Sequence, residues 1–196
     1  MEALTHLLRQ FEPSCAAESA LRQQLLQDIE NRAEALLSRA VTPHLTASLW
    51  VMDRTCQEVL MVHHNIYNSW SWTGGHADGD ADLLAVAVRE AEEESGVRQL
   101  QLPTAQLLAL ELLPVIAHTR RGEPVPAHHH YCAVFAAFAE PTLPLTHRPD
   151  ENSAARWLPA DALADFVTES AMLPLYDKLT ARMRQLYLSP APLGEQ

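Results

Sequence analysis

The segment Gly74 to Val97, GGHADGDADLLAVAVREAEEESGV, limits what this chain can fold into more than any other stretch. Leu84, Val88 and Ala91 recur at helical spacing and predict one buried stripe. Gly96 stands where a left-handed residue ends a helix. Asp78 and Asp80 are candidate N-caps, with Asp82 in the first turn, and Gly74-Gly75 reads as the turn before them. Away from the apolar stripe, Glu90, Glu93 and Glu94 lie at i,i+3 and i,i+4 spacing. Like charges so placed cost roughly 0.2–0.5 kcal/mol per pair. A cation removes that penalty, and carboxylate oxygens are the ligands that hard divalent ions take. The pattern therefore predicts a helix bearing a metal site that handles phosphates.

The flanking sequence changes period. His44 to Met52 alternates as a strand, Asp53-Arg54-Thr55 turns, and Glu58 to His64 returns. Residues 65–73 read as a loop carrying Tyr67, Trp70 and Trp72. After the acidic helix come a strand around 106–116, a turn at Arg120-Arg121-Gly122-Glu123-Pro124 and a strand around 128–139. A loop at 141–150, a short strand Ala155 to Leu158, a helix opened by Pro159 and a last helix over 171–186 follow. Ahead of all this, residues 2–11 and 17–39 predict two helices, the second with Leu21, Leu25, Ile29 and Leu36 as its stripe. The expected division is an N-terminal helical arm (1–42), a central domain (43–168) and a C-terminal helix packed on it (169–196). Helices and strands mixed through one unit predict an α/β sandwich. The arm reads as packing or as a homodimer contact.

Composition narrows the partners. The net charge is −11, and of fourteen basic residues only Lys178 is a lysine. A chain that tracks a nucleic-acid polymer needs a basic surface, which this one lacks. The three cysteines, Cys15, Cys56 and Cys132, have no paired spacing and form no zinc motif. The longest apolar run, Leu107 to Ala117, is broken by Glu111 and Pro114 and is too short for a bilayer. The opening residues carry no basic patch followed by an apolar stretch. A cytoplasmic protein with no membrane partner is expected.

The acidic segment resembles the box of the Nudix family: Gly, five residues, Glu, seven residues, Arg-Glu-aliphatic, one residue, Glu-Glu, one residue, Gly-aliphatic. Gly75 opens it, and Arg89, Glu90, Ala91, Glu93, Glu94, Gly96 and Val97 fill its later positions. The first Glu falls on Ala81, flanked by Asp80 and Asp82, which points to weakened or altered metal affinity. The resemblance implies an α/β/α sandwich with a mixed β-sheet, plus the N-terminal helices, and hydrolysis of a diphosphate joined to another moiety. It implies Mg²⁺ or Mn²⁺ held by Glu90, Glu93 and Glu94, with Arg89 orienting a glutamate by salt bridge. The general base is one of these glutamates or Glu151, six residues before Trp157. Gly74 and Gly75 let backbone approach a small phosphorylated substrate, and Trp72 is a candidate to stack on it or to pack beneath it.

The ten histidines suggest a second site. His128 and His130 share one face of a strand while His129 points away. With His44 and His76 they are similar in placement to the metal ligands of isopentenyl-diphosphate isomerase, which has a Nudix fold. Cys132 to Ala137 resembles a stretch of that enzyme too, although its catalytic Cys is Gly74 here. Four histidines suit a transition metal better than Mg²⁺, or donate hydrogen bonds to phosphate, or simply belong to surface and core. Three classes thus compete: a metal-dependent diphosphate hydrolase, an isomerase of the same fold, and a non-catalytic ligand-binding protein. Substrate choice falls to residues 65–73, 117–127 and 141–154.

Overall fold

The computed structural model describes residues 1–120 and 122–188, so Arg121 in the expected turn, and the end of the C-terminal segment, lie outside the described residues. Two helices come first, α1 (Glu2–Gln10) and α2 (Ala16–Leu36). Strands β1 (His44–Met52), β2 (Glu58–His64), β3 (Ser69–Ser71) and β4 (Thr73–His76) lead into α3 (Leu83–Ser95). Then follow β5 (Ala109–Val115), β6 (His118–Arg120), β7 (Glu123–Val125), β8 (His128–Phe138), β9 (Asn152–Pro159) and α4 (Leu173–Tyr187).

The main sheet runs β3-β2-β1-β8-β5, with β4 also on β1 and β9 also on β2. β1 pairs in parallel with β8 along the whole of β1, and the other pairs of this sheet are antiparallel. The sheet is therefore mixed, as expected. β6 and β7 form a separate hairpin.

The period of two along β1 and β8 sorts side chains between two layers. Leu45, Ala47, Leu49 and Val51 join Tyr131, Ala133, Phe135 and Ala137 in a core that α1, α2 and α3 cover. Trp50 and Met52 join Val134, Ala136 and Phe138 in a second core under α4, where Tyr176, Leu179 and Met183 are fully buried. The result is an α/β/α sandwich. Leu4 and Leu8 of α1 and Leu25, Ile29 and Leu36 of α2 are buried in the first core. Each such side chain contributes about 1.5–3 kcal/mol.

The structure departs from the sequence reading in four places. Residues 65–73 contain β3 and the start of β4, and Gly74-Gly75 sits inside β4, paired with Ser48 and Ala47, instead of forming a turn. Asp82 caps α3 through Ala85 N–H at 3.0 Å, so Asp78 and Asp80 precede the cap. The segment after Pro159 is a short 3₁₀ helix, Ala160–Asp165. In α2, Arg32 leaves helical geometry (φ −151°, ψ 37°), breaking the expected continuous helix.

Candidate active site

The cavity that matters opens where the cavity-facing residues of β1 and β8 turn polar. His44, Thr46 and Ser48 occupy the face of β1 that further along carries Trp50 and Met52; His128, His130 and Cys132 do the same on β8. Register places His44 beside His130, and Thr46 between His76 of β4 and Cys132 of β8. The cavity has a volume of about 910 Å³. One side is lined by Glu90, Glu93, Glu94, Arg148, Asp150 and Glu151, and the other by the four histidines.

The glutamates differ in environment. Glu94 is 5% exposed and accepts Gly74 N–H at 3.0 Å. Burial pushes its carboxyl up to about 8; the Gly74 hydrogen bond opposes the rise and Glu90 adds to it. Glu90 is also raised, first by burial and then by the charges of Glu93 and Glu151. Its carboxyl lies over Gly75, where any Cβ would overlap it. Glu93 is the exposed member, ion-paired to Arg148 at 3.0 Å. Glu94 thus belongs to the buried face of α3, not to a face opposite the apolar stripe as the spacing suggested.

Arg89 does not form the expected salt bridge to a glutamate. Its guanidinium is 3.5 Å from Asp80, and both side chains are exposed. Asp80 also accepts Asp82 N–H at 2.9 Å, and Asp82 is spent on the helix cap. Ala81 is packed at the fringe of the first core. Asp80 and Asp82 do not line the cavity, so neither fills the place of the missing first acid.

Two residues the sequence reading missed organise the loop that carries Glu151. Arg148 lies 3.0 Å from Glu93, 3.3 Å from Asp150 and 3.6 Å from Glu151. Asn152, buried, donates to the Glu94 carbonyl at 3.0 Å and accepts Arg148 N–H at 3.1 Å. It ties the loop to the C-terminal turn of α3. Nothing in spacing marked either residue, because their partners on α3 lie more than fifty positions away. Trp72 lines the cavity while its ring meets Trp50 and Tyr176 edge-on.

The four histidines lie together at the cavity wall, with His128 and His130 on one face of β8. The ring centroids of His44 lie 5.2 Å from those of His76 and His128 and 4.7 Å from that of His130. Arg39, paired with Asp78 at 2.7 Å, stands beside them at the cavity wall. Burial, then the charges of Arg39 and His44, push His76 down to about 3. Burial, then His76 and His44, push His130 down to about 2.

The family model for the NUDIX domain matches residues 42–179. The chain belongs to the Nudix family. As a Nudix hydrolase it acts on pyrophosphate bonds. Solved structures share the fold at low identity. An Ap4A hydrolase from C. elegans matches with TM-score 0.53 and 18% identity, over 74% of this chain and 99% of that one. The Nudix hydrolase RenU from M. smegmatis matches with TM-score 0.52 and 19% identity, over 81% and 94%. The dihydroneopterin triphosphate pyrophosphohydrolase of E. coli matches with TM-score 0.53 and 18% identity, over 70% and 94%. No curated protein matches the chain significantly. Among the described residues no helix is long and apolar enough to cross a membrane.

Proposed function

We propose that this Nudix hydrolase is metal-dependent and cleaves a diphosphate linkage in a small phosphorylated substrate, with Glu90, Glu93 and Glu94 as the ligands of Mg²⁺ or Mn²⁺. The observation that carries the reading is geometric: Glu90, Glu93 and Glu94 line one cavity, and Glu94 is buried there. Burial and the charge of Glu90 raise its carboxyl, as expected of an acid whose charge lacks a cation. The donor set is all oxygen, which fits a hard divalent ion. A bound ion of this class neutralises diphosphate charge and acidifies a coordinated water.

The chain's own groups would do the rest. Gly74 N–H holds the Glu94 carboxylate in place, and glycine at 75 leaves room for the Glu90 carboxyl. Arg148, amid Glu93, Asp150 and Glu151, is placed to pass its charge to a phosphate oxygen. Glu151 is the candidate base, held at the cavity by the Arg148–Asn152 loop. Trp72 offers one apolar wall to the moiety beyond the diphosphate.

The test is phosphate or nucleotide release from a library of diphosphate compounds with Mg²⁺ or Mn²⁺. Glu93→Gln is expected to abolish turnover by the substrate the wild type prefers, while the variant melts as the wild type does. Turnover retained in Glu93→Gln overturns this mechanism.

A further inference from the structure

The histidine side of the cavity is not needed for the chemistry just described, yet it is built more closely than chance packing requires. His44 is 3% exposed. Its Nδ1 lies 2.7 Å from the Val41 carbonyl, which can only accept, so Nδ1 carries the proton and Nε2 carries a bare lone pair. That Nε2 is buried and has no partner. A buried acceptor left without a partner destabilises the fold unless something meets it.

The neighbouring rings repeat the arrangement. His128 Nδ1 lies 2.8 Å from the Pro126 carbonyl, which fixes the same tautomer and turns its Nε2 inward. That Nε2 is 2.9 Å from His130 Nε2. At this distance the two nitrogens share a proton, His130 Nε2–H donating to His128 Nε2, and a metal ion that replaces the proton would take both lone pairs as the rings part slightly. Ligand atoms of His44, His76 and His130 all lie within 4.8 Å of one another. The edge of a tetrahedral zinc–imidazole site is about 3.4 Å, from bonds of about 2.1 Å, so small ring rotations close the set. A metal-ligating histidine characteristically donates its other N–H to a carbonyl, as His44 and His128 do here.

We propose that His44, His76 and His130, completed by His128, bind one divalent transition-metal ion of the Zn²⁺ or Co²⁺ class, separate from the cation of the glutamates. All four ligands are neutral nitrogens, which favours the later first-row ions over Mg²⁺. The backbone supports it from three strands at once: His44 and His130 are register partners on parallel β1 and β8, and His76 arrives on β4 against Thr46. The Arg39–Asp78 pair beside His76 keeps the cationic guanidinium matched, so the ion does not face an unpaired charge.

Metal uptake is read directly, independent of turnover. The full chain, stripped with chelator, is titrated with Co²⁺ in the presence of excess Mg²⁺, which saturates oxygen sites, and with Zn²⁺ by calorimetry. The expected result is one Co²⁺ per chain with the visible absorption of a nitrogen-coordinated ion. His76→Gln and His130→Asn, both at half-buried positions, lose that spectrum while retaining the wild-type far-UV circular dichroism. The Glu90→Gln/Glu93→Gln double variant keeps it. No stoichiometric Co²⁺ or Zn²⁺ in the folded wild type overturns the proposal. So does an unchanged spectrum in either histidine variant, or its loss in the glutamate variant alone.

Discussion

Glu94→Gln separates what the acidic cluster costs the fold from what it does for the substrate. Glu94 is buried, and its carboxyl rises from 4.5 to about 8 because burial disfavours the charged form. A carboxyl with a raised folded pKa binds its proton more tightly in the native state. Between pH 4.5 and about 8 the native chain holds that proton and the unfolded chain has lost it. Stability is therefore full below pH 4.5 and falls as pH rises through that window. At about 1.4 kcal/mol for each tenfold change in proton affinity, the total loss is roughly 5 kcal/mol once pH exceeds the folded value. Glutamine keeps an oxygen for Gly74 N–H and never ionises. Denaturant unfolding of metal-free wild type and Glu94→Gln at pH 5 and pH 8.5, with chelator present, isolates the effect. The wild type is expected to lose several kcal/mol more than the variant between the two, and Mg²⁺ or Mn²⁺ to restore the wild type alone. Parallel pH dependence in the two proteins refutes the argument that Glu94 is a carboxylate awaiting a cation.

Gly75→Ala places a methyl against the Glu90 carboxyl in the middle of β4. Turnover is expected to fall at least tenfold while the melting temperature shifts by only a few degrees, read by steady-state assay beside calorimetry; wild-type turnover contradicts the close approach. Glu18, 2% exposed on α2, accepts Ser14 N–H at 2.6 Å, Ser14 Oγ–H at 2.9 Å and Lys178 at 3.1 Å. Burial raises its carboxyl, but these partners outweigh it and leave it below 4.5. Its contribution is present above pH 4.5 and lost as pH falls through the folded value, so acid titration of stability should be steeper in the wild type than in Glu18→Gln. The substitution itself should cost roughly 1–3 kcal/mol, the scale of lost charge-assisted hydrogen bonds, because Lys178 keeps Glu111 as a partner.

Local pattern made the scaffold legible. The runs His44 to Met52 and Glu58 to His64 coincide with β1 and β2, although their central residues are buried on both faces of the sheet rather than alternately. The end of α3 was equally readable, since only Gly96 accepts φ 68° there cheaply. Legibility stopped where pairing is non-local. Gly74-Gly75 carries the composition of a turn but is held extended by Ala47 and Ser48, and the small side chains admit Ser48 and Glu90. Arg148 and Asn152 reach α3 across more than fifty positions. Asp82, not Asp78 or Asp80, caps the helix because it directly precedes Leu83, while Asp78 and Asp80 pair with Arg39 and Arg89.

β4 is four residues long; Gly75 faces Glu90 of α3, Gly74 faces Ser48 of β1, and His76 lies opposite Thr46 of β1. At about 3.3 Å per residue, Gly74 and His76 are separated by roughly 7 Å along it. The cations of the glutamate and histidine sets would thus share one cavity wall. On the proposed function, a hydrolase without the first acid of the box would hold its hard cation less tightly. The proposed nitrogen site, whose His76 lies two residues beyond Gly74, would then hold the far side of an anionic substrate. The prediction at stake is a dependence of substrate KM, rather than of Mg²⁺ affinity, on the ion held by the histidines.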